Sequence, residues 1–336
     1  MEQKSHVKVS VCISVHNTAN YLARCLDSVC AQTLQSMEIV VVNNGSTDNS
    51  EDIMHYYEKK HPERTFVIVS QDDRSLAGGR QTGINNATGD YITFLDADDL
   101  VDETAYQKML DCAERECVDI VEIQTRRDGK ILSSSLMGLQ DTHQVLKQYF
   151  TEGGIPSMLW MRLYKRSLFD KSVFPIIYTN NEDMFAWPCL LHTAHSIYFL
   201  KEPLHIYSTD NEQGVMHSET NNPELAERRF LSRSKALLSI PYFKEFVGKE
   251  GYDEYEIEHS FYIARYTFDF LMVNFVGKTM NDKIKVAVDE LSFNSSKVFF
   301  AFLKRWLPKG KFNTYSVFRL FGVRIAYYFN HIINKQ

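Results

Sequence analysis

The amino-acid sequence lacks any apolar run that approaches the roughly 18 residues needed to span a bilayer. Its start, Met1 to His6, lacks the apolar stretch of a secretory signal, so we expect the protein to stay in the cytosol. The six cysteines include no Cys-x-x-Cys pair and lie mainly in apolar patterns, which favours buried reduced thiols over disulfides or zinc. Internal repeats and low-complexity segments are also missing, so neither a repeat architecture nor a disordered chain is expected.

Acidic residues are absent from residues 297–336, which hold eight Lys or Arg and many aromatic side chains. The whole chain has a net charge of −6, so the remainder carries −14. This basic-aromatic composition is typical of amphipathic helices that lie in a membrane interface. We therefore expect residues 223–336 to form a helical extension that contacts the inner face of the cell membrane. The alternative is that its aromatic side chains pack back onto the rest of the chain.

Nucleic acid is not an expected partner. The chain shows no RNA-binding signature, and its main body is acidic rather than basic.

Short β-prone runs alternate with helical patterns in the first third of the chain. Strands are predicted over residues 7–15, 38–42 and 66–70, a fourth ends at Asp96, and each is followed by a helix. This alternation predicts an α/β fold with a parallel sheet and right-handed crossovers. Ligands of such sheets bind outside the carboxyl ends of the strands, so the loops there are the candidate functional region.

A further strand is predicted over residues 118–125, with a turn at 126–130, and beyond residues 131–132 the rhythm becomes irregular. The predicted elements are a helix near 143–149, a helix beginning at the acids 182–183, short strands at 197–200 and 204–207, and helices from 223 onward with a break near 248–251.

Three carboxylates stand in four positions directly after the fourth strand, at Asp96, Asp98 and Asp99. Carboxylates this close resist ionising together unless a cation or hydrogen-bond donors compensate them. Oxygen ligands favour Mg²⁺ or Mn²⁺, whose coordination shell is usually completed by phosphate oxygens and water. The stretch therefore predicts a metal site for a phosphate-bearing substrate. The alternative is a solvated acidic turn that caps the helix beginning near Glu103.

Four ordered motifs resemble the large inverting glycosyltransferase family of the GT-A fold, which contains bacterial capsule and O-antigen transferases. The resemblance spans roughly residues 8–207. It implies a central, mostly parallel sheet with flanking helices, in which residues 1–100 bind the nucleotide sugar and residues 101–222 bind the acceptor. The motifs lie at residues 9–17, 43–48, 76–83 and 96–99.

The resemblance also implies a set of donor-binding residues, with Asp98 as the metal ligand and Asp96 facing both ribose and metal. The family usually has two aspartates at Asn43 and Asn44, a proline at Ser14 and often a tyrosine at His16. Asparagine can still donate to and accept from a pyrimidine edge, so a UDP-sugar is expected. The nucleotide-binding set is Ser14, His16, Asn17, Asn43, Asn44, Gly45, Ser46, Arg80, Asp96 and Ala97.

Arg80 is, independently of the resemblance, a plausible contact for a diphosphate or a base, because its guanidinium is always charged and donates in a fixed fork. The alternative is a surface arginine on a helix.

The pair Glu182 and Asp183 resembles the family's Glu-Asp pair, in which the aspartate is the general base. Inverting transfer needs such a carboxylate to take the proton of the acceptor hydroxyl. Asp183 is thus the predicted base and Glu182 the second candidate, the alternative being an acid pair that stabilises a helix start. Trp160 and Asp99 are predicted on the acceptor side, with core packing as the alternative for Trp160.

The predicted function is a metal-dependent, inverting transfer of one sugar from a nucleotide sugar to a glycan or polyprenyl-linked acceptor in surface polysaccharide synthesis. The sequence has no Gln-x-x-Arg-Trp motif, and this absence argues against a processive polysaccharide synthase. Two alternatives stay open: a phosphatase or phosphotransferase using Asp96 and Asp98, and a non-catalytic nucleotide-sugar binding module. His192 and His195 could be taken for a pair of metal ligands, but the sequence offers no third ligand beside them. His205 and His217 flank a loop that could close on the phosphate of the sugar donor.

Overall fold

The computed structural model describes residues 6–72, 75–151, 154–171, 173–174, 182–211, 239–253 and 255. The chain forms two compact units. The first comprises residues 1–146 and 154–221, and the second comprises residues 147–153 and 222–336.

The first unit is built on one mixed sheet, which has ten strands among the described residues. Its order is β3-β2-β1-β4-β9-β6-β10-β5, with β7 paired to β6 and β8 paired to β10. The strands are β1 Val9–Val15, β2 Met37–Asn44, β3 Thr65–Gln71, β4 Tyr91–Asp96, β5 Leu100–Val101, β6 Ile120–Arg127, β7 Lys130–Leu132, β8 Gly138–Asp141, β9 Arg162–Lys165 and β10 Ser196–Ile206.

Helices connect or flank these strands, and the predicted helix after each of the first four strands is confirmed. Their bounds are α1 Ala19–Cys30, α2 Ser50–Lys60, α3 Leu76–Asn86, α4 Ala105–Glu116, α5 Thr142–Thr151, α6 Glu182–Thr193 and α7 Ser239–Asp253, with a 3₁₀ helix at Arg166–Phe169.

Strands β3, β2, β1 and β4 run parallel to one another. β1 and β2 are buried along almost their whole length, as expected for parallel strands covered on both faces. That burial fits the many Val and Ile residues in both strands. Because the four strands point the same way, their carboxyl ends meet at one edge.

Helix α3 lies unusually close to β1 because glycine faces the strand. A Cβ added at Gly79 would come within 2.0 Å of the Ser14 Oγ atom, and one at Gly83 within 3.0 Å of the Cys12 Cβ atom. Only a residue without a side chain allows this approach. The seating of α3 brings Arg80 to the carboxyl edge.

The sequence did not predict β9, which lies antiparallel between β4 and β6. Its four residues have a charged residue at each end, so they show neither an apolar run nor a clear alternation. The two short strands predicted at 197–200 and 204–207 are instead one strand, β10, whose register shifts between Phe199 and Pro203. A proline cannot donate a ladder hydrogen bond, which fits the irregularity there.

The cysteines are free, as predicted, and all but the exposed Cys117 are buried.

In the second unit, Phe243 of α7 packs edge-on against Tyr252 and Tyr255, with ring centroids 6.3 and 6.0 Å apart. The predicted break in this region is confirmed at Gly248, whose φ of 75° is not helical. The basic-aromatic segment 297–336 and His217 lie outside the described residues. Within the described part of the chain, no helix has both the length and the apolar character needed to cross a membrane.

Candidate active site

The carboxyl edge of the sheet brings the predicted donor residues together. Ser14 pairs in register with Asp96 across β1 and β4, and Val15 pairs with Asn43 across β1 and β2. The ends of three strands, distant in sequence, thus present their polar residues side by side. The site is built by strand register rather than by a single loop.

Arg80 joins the acidic motif to the predicted base pair. Its Nη2 atom donates to the Asp96 Oδ1 atom at 2.8 Å, and its Nη1 atom donates to the Glu182 Oε1 atom. The residue is only 4% exposed, so the alternative of a surface arginine is wrong. Because two carboxylates engage the guanidinium, Arg80 orients acidic side chains on both sides of the site.

Glu182 and Asp183 begin α6 but have different environments. Glu182 is 3% exposed, and this burial raises its pKa to about 7 although the Arg80 guanidinium opposes the rise. Asp183 is half-buried, and its Oδ2 atom accepts a hydrogen bond of 2.8 Å from the Ser157 Oγ atom. Of the pair, Asp183 is therefore the more accessible carboxylate.

Asp98 is held by the segment that follows β10. The Asn211 Nδ2 atom donates to the Asp98 Oδ2 atom at 2.7 Å. Arg24 of α1 donates to the Asp98 carbonyl oxygen at 3.2 Å and forms two bonds of 2.5 and 2.6 Å to Asp210. Burial, followed by the nearby charge of Asp96, raises the pKa of Asp98 to about 6.

Asp99 lies beneath the edge and is 1% exposed. Its Oδ1 atom accepts a bond of 2.8 Å from the Ser208 amide, and its Oδ2 atom lies 3.3 Å from the His205 Nε2 atom without hydrogen-bond geometry. Burial raises the pKa of Asp99 to about 8 and lowers that of His205 to about 3. Trp160 is also buried, and its ring stacks on His205 at 4.2 Å. Both residues predicted on the acceptor side thus lie in the core beside the site.

The acidic motif suits a hard divalent cation. Burial and the neighbouring charge of Asp96 make it costly to ionise Asp98 without a cation. The Asp99 Oδ2 atom has no hydrogen-bond donor among the described residues. Within the same described ranges, no three His, Cys, Asp or Glu side chains are arranged to hold a metal by themselves. A set of one or two carboxylates is nevertheless what Mg²⁺ commonly takes from a protein when phosphate oxygens and water complete its shell.

Two exposed residues after β1, His16 and Asn17, contact the end of β2 and the loop that follows it. The His16 Nδ1 atom lies 2.9 Å from the Asn44 carbonyl oxygen. The Asn17 Oδ1 atom accepts from the Thr47 amide at 2.8 Å, and the Asn17 amide donates to the Ser46 Oγ atom at 3.2 Å. Asn17 adopts a left-handed φ of 53°, which asparagine tolerates better than most residues.

Asn43 and Asn44 end β2 rather than lying in the loop, and both are buried. The Asn43 Oδ1 atom accepts from the Ser46 amide at 3.0 Å across a turn at Gly45, whose φ is 76°. The Asn44 Nδ2 atom donates to the Ser75 carbonyl oxygen at 2.5 Å, and its Oδ1 atom accepts from Gln71 at 2.7 Å. The Asn44 amide thus connects the end of β2 to the end of β3 and to Ser75, the residue that caps α3.

Sequence reasoning missed Ser157, Ser208 and Asn211, which contact the predicted acids from other segments. None of them belongs to a motif that the sequence displays. The remaining predicted residue, Ala97, is buried within the acidic motif.

Residues 10–174 match the family model described as glycosyl transferase family 2. The chain carries a family 2 glycosyltransferase domain. EpsH of Bacillus subtilis, named as a glycosyltransferase, is 31% identical over 210 residues, which cover 59% of this chain and 60% of EpsH. The chain thus spans less than two thirds of that relative.

Two solved structures share the fold. Residues 1–349 of TarS from S. aureus superpose with a TM-score of 0.65 at 14% identity, covering 88% of this chain and 83% of that structure. The mannosyltransferase PcManGT from Pyrobaculum calidifontis superposes with a TM-score of 0.54 at 15% identity, covering 96% and 88%. The predicted GT-A fold of this family 2 domain is confirmed.

Proposed function

We propose that this family 2 protein is a metal-dependent, inverting glycosyltransferase. It transfers one sugar from a UDP-sugar to a glycan or polyprenyl-linked acceptor in surface polysaccharide synthesis. The observation that carries the proposal is the Asp96–Arg80–Glu182 bridge. This bridge connects the acidic motif at the end of β4 to the acid pair that begins α6. A glycosyltransferase needs such proximity, because it must bind the sugar donor and the acceptor next to each other.

The donor class is supported by what the fold relatives bind. TarS has been solved with UDP and with UDP-GlcNAc, and PcManGT with GDP-Man and Mn²⁺. Their nucleotides differ, so the choice of uracil rests on this chain. Exposed His16 and Asn17, beside the turn that Asn43 and Ser46 form, offer donors and acceptors suited to a pyrimidine edge.

The acidic motif would hold the cation through Asp98, with Asp96 beside it. When bound, Mg²⁺ or Mn²⁺ stabilises the negative charge of the departing diphosphate. The family match favours this use of the motif over phosphoryl transfer.

Asp183 acts as the general base in this proposal. Its carboxylate takes the proton of the acceptor hydroxyl as that oxygen bonds to the anomeric carbon. The bond from the same carbon to the diphosphate oxygen breaks, and the nucleoside diphosphate leaves with the electron pair. Attack opposite the leaving group inverts the anomeric configuration. Arg80 keeps buried Glu182 occupied, which leaves the proton transfer to half-exposed Asp183.

Nucleoside diphosphate release tests the proposal. The donors are UDP-glucose, UDP-galactose, UDP-N-acetylglucosamine and GDP-mannose, with Mn²⁺ and with water as the acceptor. We expect Asp183→Asn to lower turnover at least about 100-fold, a loss within the range expected for a general base. Asp98→Asn should lower turnover by at least about the same factor, because the cation loses its carboxylate ligand. Asp111→Asn, an exposed change on α4, should have no effect.

Three outcomes would contradict the proposal. They are release of inorganic phosphate in place of nucleoside diphosphate, no turnover with any of the donors, and full turnover by Asp98→Asn in chelator-treated protein. Once an acceptor is found, the anomeric configuration of the product, read by NMR, tests inversion directly.

We also place the enzyme on the inner face of the cell membrane through residues 297–336. Their eight cations would each add on the order of 1 kcal/mol of attraction to an anionic surface. Flotation with anionic liposomes should carry the full chain upward more than a chain ending at Ser296. Equal partitioning would show that this segment does not bind the membrane.

A further inference from the structure

Arg162 is a fully buried cation on β9 that donates hydrogen bonds to the backbone on either side of one serine. Its Nη2 atom donates to the Pro156 carbonyl oxygen at 2.6 Å, and its Nη1 atom donates to the Met158 carbonyl oxygen. The residue between those carbonyls is Ser157. One guanidinium therefore fixes the backbone before and after the Ser157 side chain.

The hydroxyl held in this way points at the candidate base. The Ser157 Oγ atom donates to the Asp183 Oδ2 atom at 2.8 Å. A hydrogen bond from a fixed donor restricts rotation of a carboxylate about its terminal torsion, which is otherwise broad. Ser157 thus limits the orientations open to the Asp183 carboxylate.

The same cation also contacts the helix that carries Asp183. The Arg162 guanidinium lies 3.6 Å from the ring centroid of Trp187. Trp187 follows Asp183 by four residues on α6, and such residues share one face of a helix. Arg162 therefore positions both partners of the Ser157–Asp183 hydrogen bond.

Glu122 of β6 compensates the buried charge. The Arg162 Nε and Nη2 atoms lie 2.8 and 2.6 Å from the Glu122 Oε2 atom. A buried ion pair is often no more stabilising than apolar residues of similar volume. The geometry of arginine explains this buried pair better, because a planar guanidinium can donate to Glu122 and to both carbonyl oxygens at the same time.

We infer that Ser157 is a positioning residue for the general base, set in place by Arg162. The inference rests on the proposed function, in which Asp183 takes the acceptor proton. Misplacing a reacting group by about 1 Å can cost as much as 100-fold in rate. Loss of the Ser157 hydroxyl should therefore lower kcat while leaving donor binding intact.

A matched pair of variants isolates the hydroxyl. Ser157→Thr keeps the hydroxyl, whereas Ser157→Val has nearly the same shape as the threonine variant but no hydroxyl. With the fastest UDP-sugar of the panel above and water as acceptor, we expect kcat to fall at least about 10-fold in Ser157→Val and Ser157→Ala. It should stay within about 3-fold of wild type in Ser157→Thr, and KM for the donor should change less than about 2-fold in all three. Ser28→Ala, another half-buried serine whose hydroxyl is hydrogen-bonded, is the control and should not change kcat.

Arg162→Lys tests the second step, because an ammonium cannot replace the fork. It should lower kcat in the wild type and lower it by a smaller factor in Ser157→Ala, since the part of its effect that acts through Ser157 is already lost there. Glu122→Gln should lower the melting temperature while kcat is retained. If Arg162→Lys does not fold, the Thr and Val pair decides the inference alone.

The outcomes separate the two proposals. An active Asp183→Asn, or no turnover of any donor, would overturn the proposed function and the inference with it. An inactive Asp183→Asn together with equal kcat in Ser157→Thr and Ser157→Val would overturn the inference alone.

Discussion

The carboxyl of Asp99 and the imidazole of His205 face each other 3.3 Å apart, and each side chain is only 1% exposed. Burial pushes their pKa values in opposite directions, to about 8 for Asp99 and about 3 for His205. Near neutral pH the His205 ring is therefore an uncharged aromatic surface on which Trp160 stacks.

The pH dependence of stability should report His205. Its pKa is lower in the folded protein than the usual 6.5, so the unfolded chain takes up the proton first and acid favours unfolding. Between about pH 3 and 6.5 this group should add stability as pH rises, up to about 1.4 kcal/mol per pH unit. Raised carboxyl pKa values such as that of Asp99 act in the opposite direction, so the test is the difference between two proteins. In urea unfolding, the unfolding free energy of wild type minus that of His205→Phe, which keeps a ring beside Trp160, should increase as pH rises from about 4 to 6.5. Identical pH profiles would refute this assignment.

Arg80 should be essential for stability as well as for the site. Arg80→Met leaves Asp96 and Glu182 without their shared cation, which should cost about 3–5 kcal/mol of unfolding free energy. Arg80→Lys should retain only part of the unfolding free energy that Arg80→Met loses, because a single ammonium cannot bridge both carboxylates. Arg115→Met, an exposed helix change, should cost less than about 1 kcal/mol in the same urea titration. Equal losses in the Met variants would argue against the bridge.

The fold was predictable where local pattern and burial agree. Helix α2 at Ser50–Lys60 follows β2 as predicted, and the buried parallel strands were recognisable as short runs rich in Val and Ile. β9 was not, because Arg162 is charged yet fully buried. Its burial depends on Glu122, forty positions away, and no local pattern reveals such a partner.

The candidate site was predictable only in its contiguous motifs. Asp96 and Asp98 stand in one short stretch, so their chemistry can be inferred from neighbouring residues. Their supports come from elsewhere: Asn211 is 113 positions from Asp98, and Ser157 is 26 positions from Asp183. Such contacts depend on how distant segments pack, which a single sequence does not encode as a local signal.

The close seating of α3 makes a specific demand on Gly79. An added Cβ would lie 2.0 Å from the Ser14 Oγ atom and 2.9 Å from its Cβ atom, so α3 must shift away from β1. Gly79→Ala should therefore lower the unfolding free energy by about 1–3 kcal/mol, as overpacking does elsewhere. Gly83→Ala is the control, because its nearest contact is 3.0 Å and should cost less. A Gly79→Ala variant as stable as wild type would show that the helix has room to move.

Asn43 and Asn44 should respond differently to replacement by aspartate. Asn44→Asp turns a donor to the Ser75 carbonyl oxygen into an acceptor, so two oxygens would face each other at about 2.5 Å. Loss of that buried bond should cost about 1–3 kcal/mol of unfolding free energy.

Asn43→Asp is the matched comparison, because the Asn43 oxygen accepts from the Ser46 amide and a carboxylate can do the same. Its cost in thermal or urea unfolding should stay below about 1 kcal/mol, since the hydrogen bond is kept and strengthened by charge. If Asn44→Asp proved the milder of the two, the Asn44 amide could not be the link between β2 and α3. Binding of UDP by both variants, measured by calorimetry, then separates stability from recognition: Asn43→Asp should change affinity at unchanged stability if its side chain faces the base.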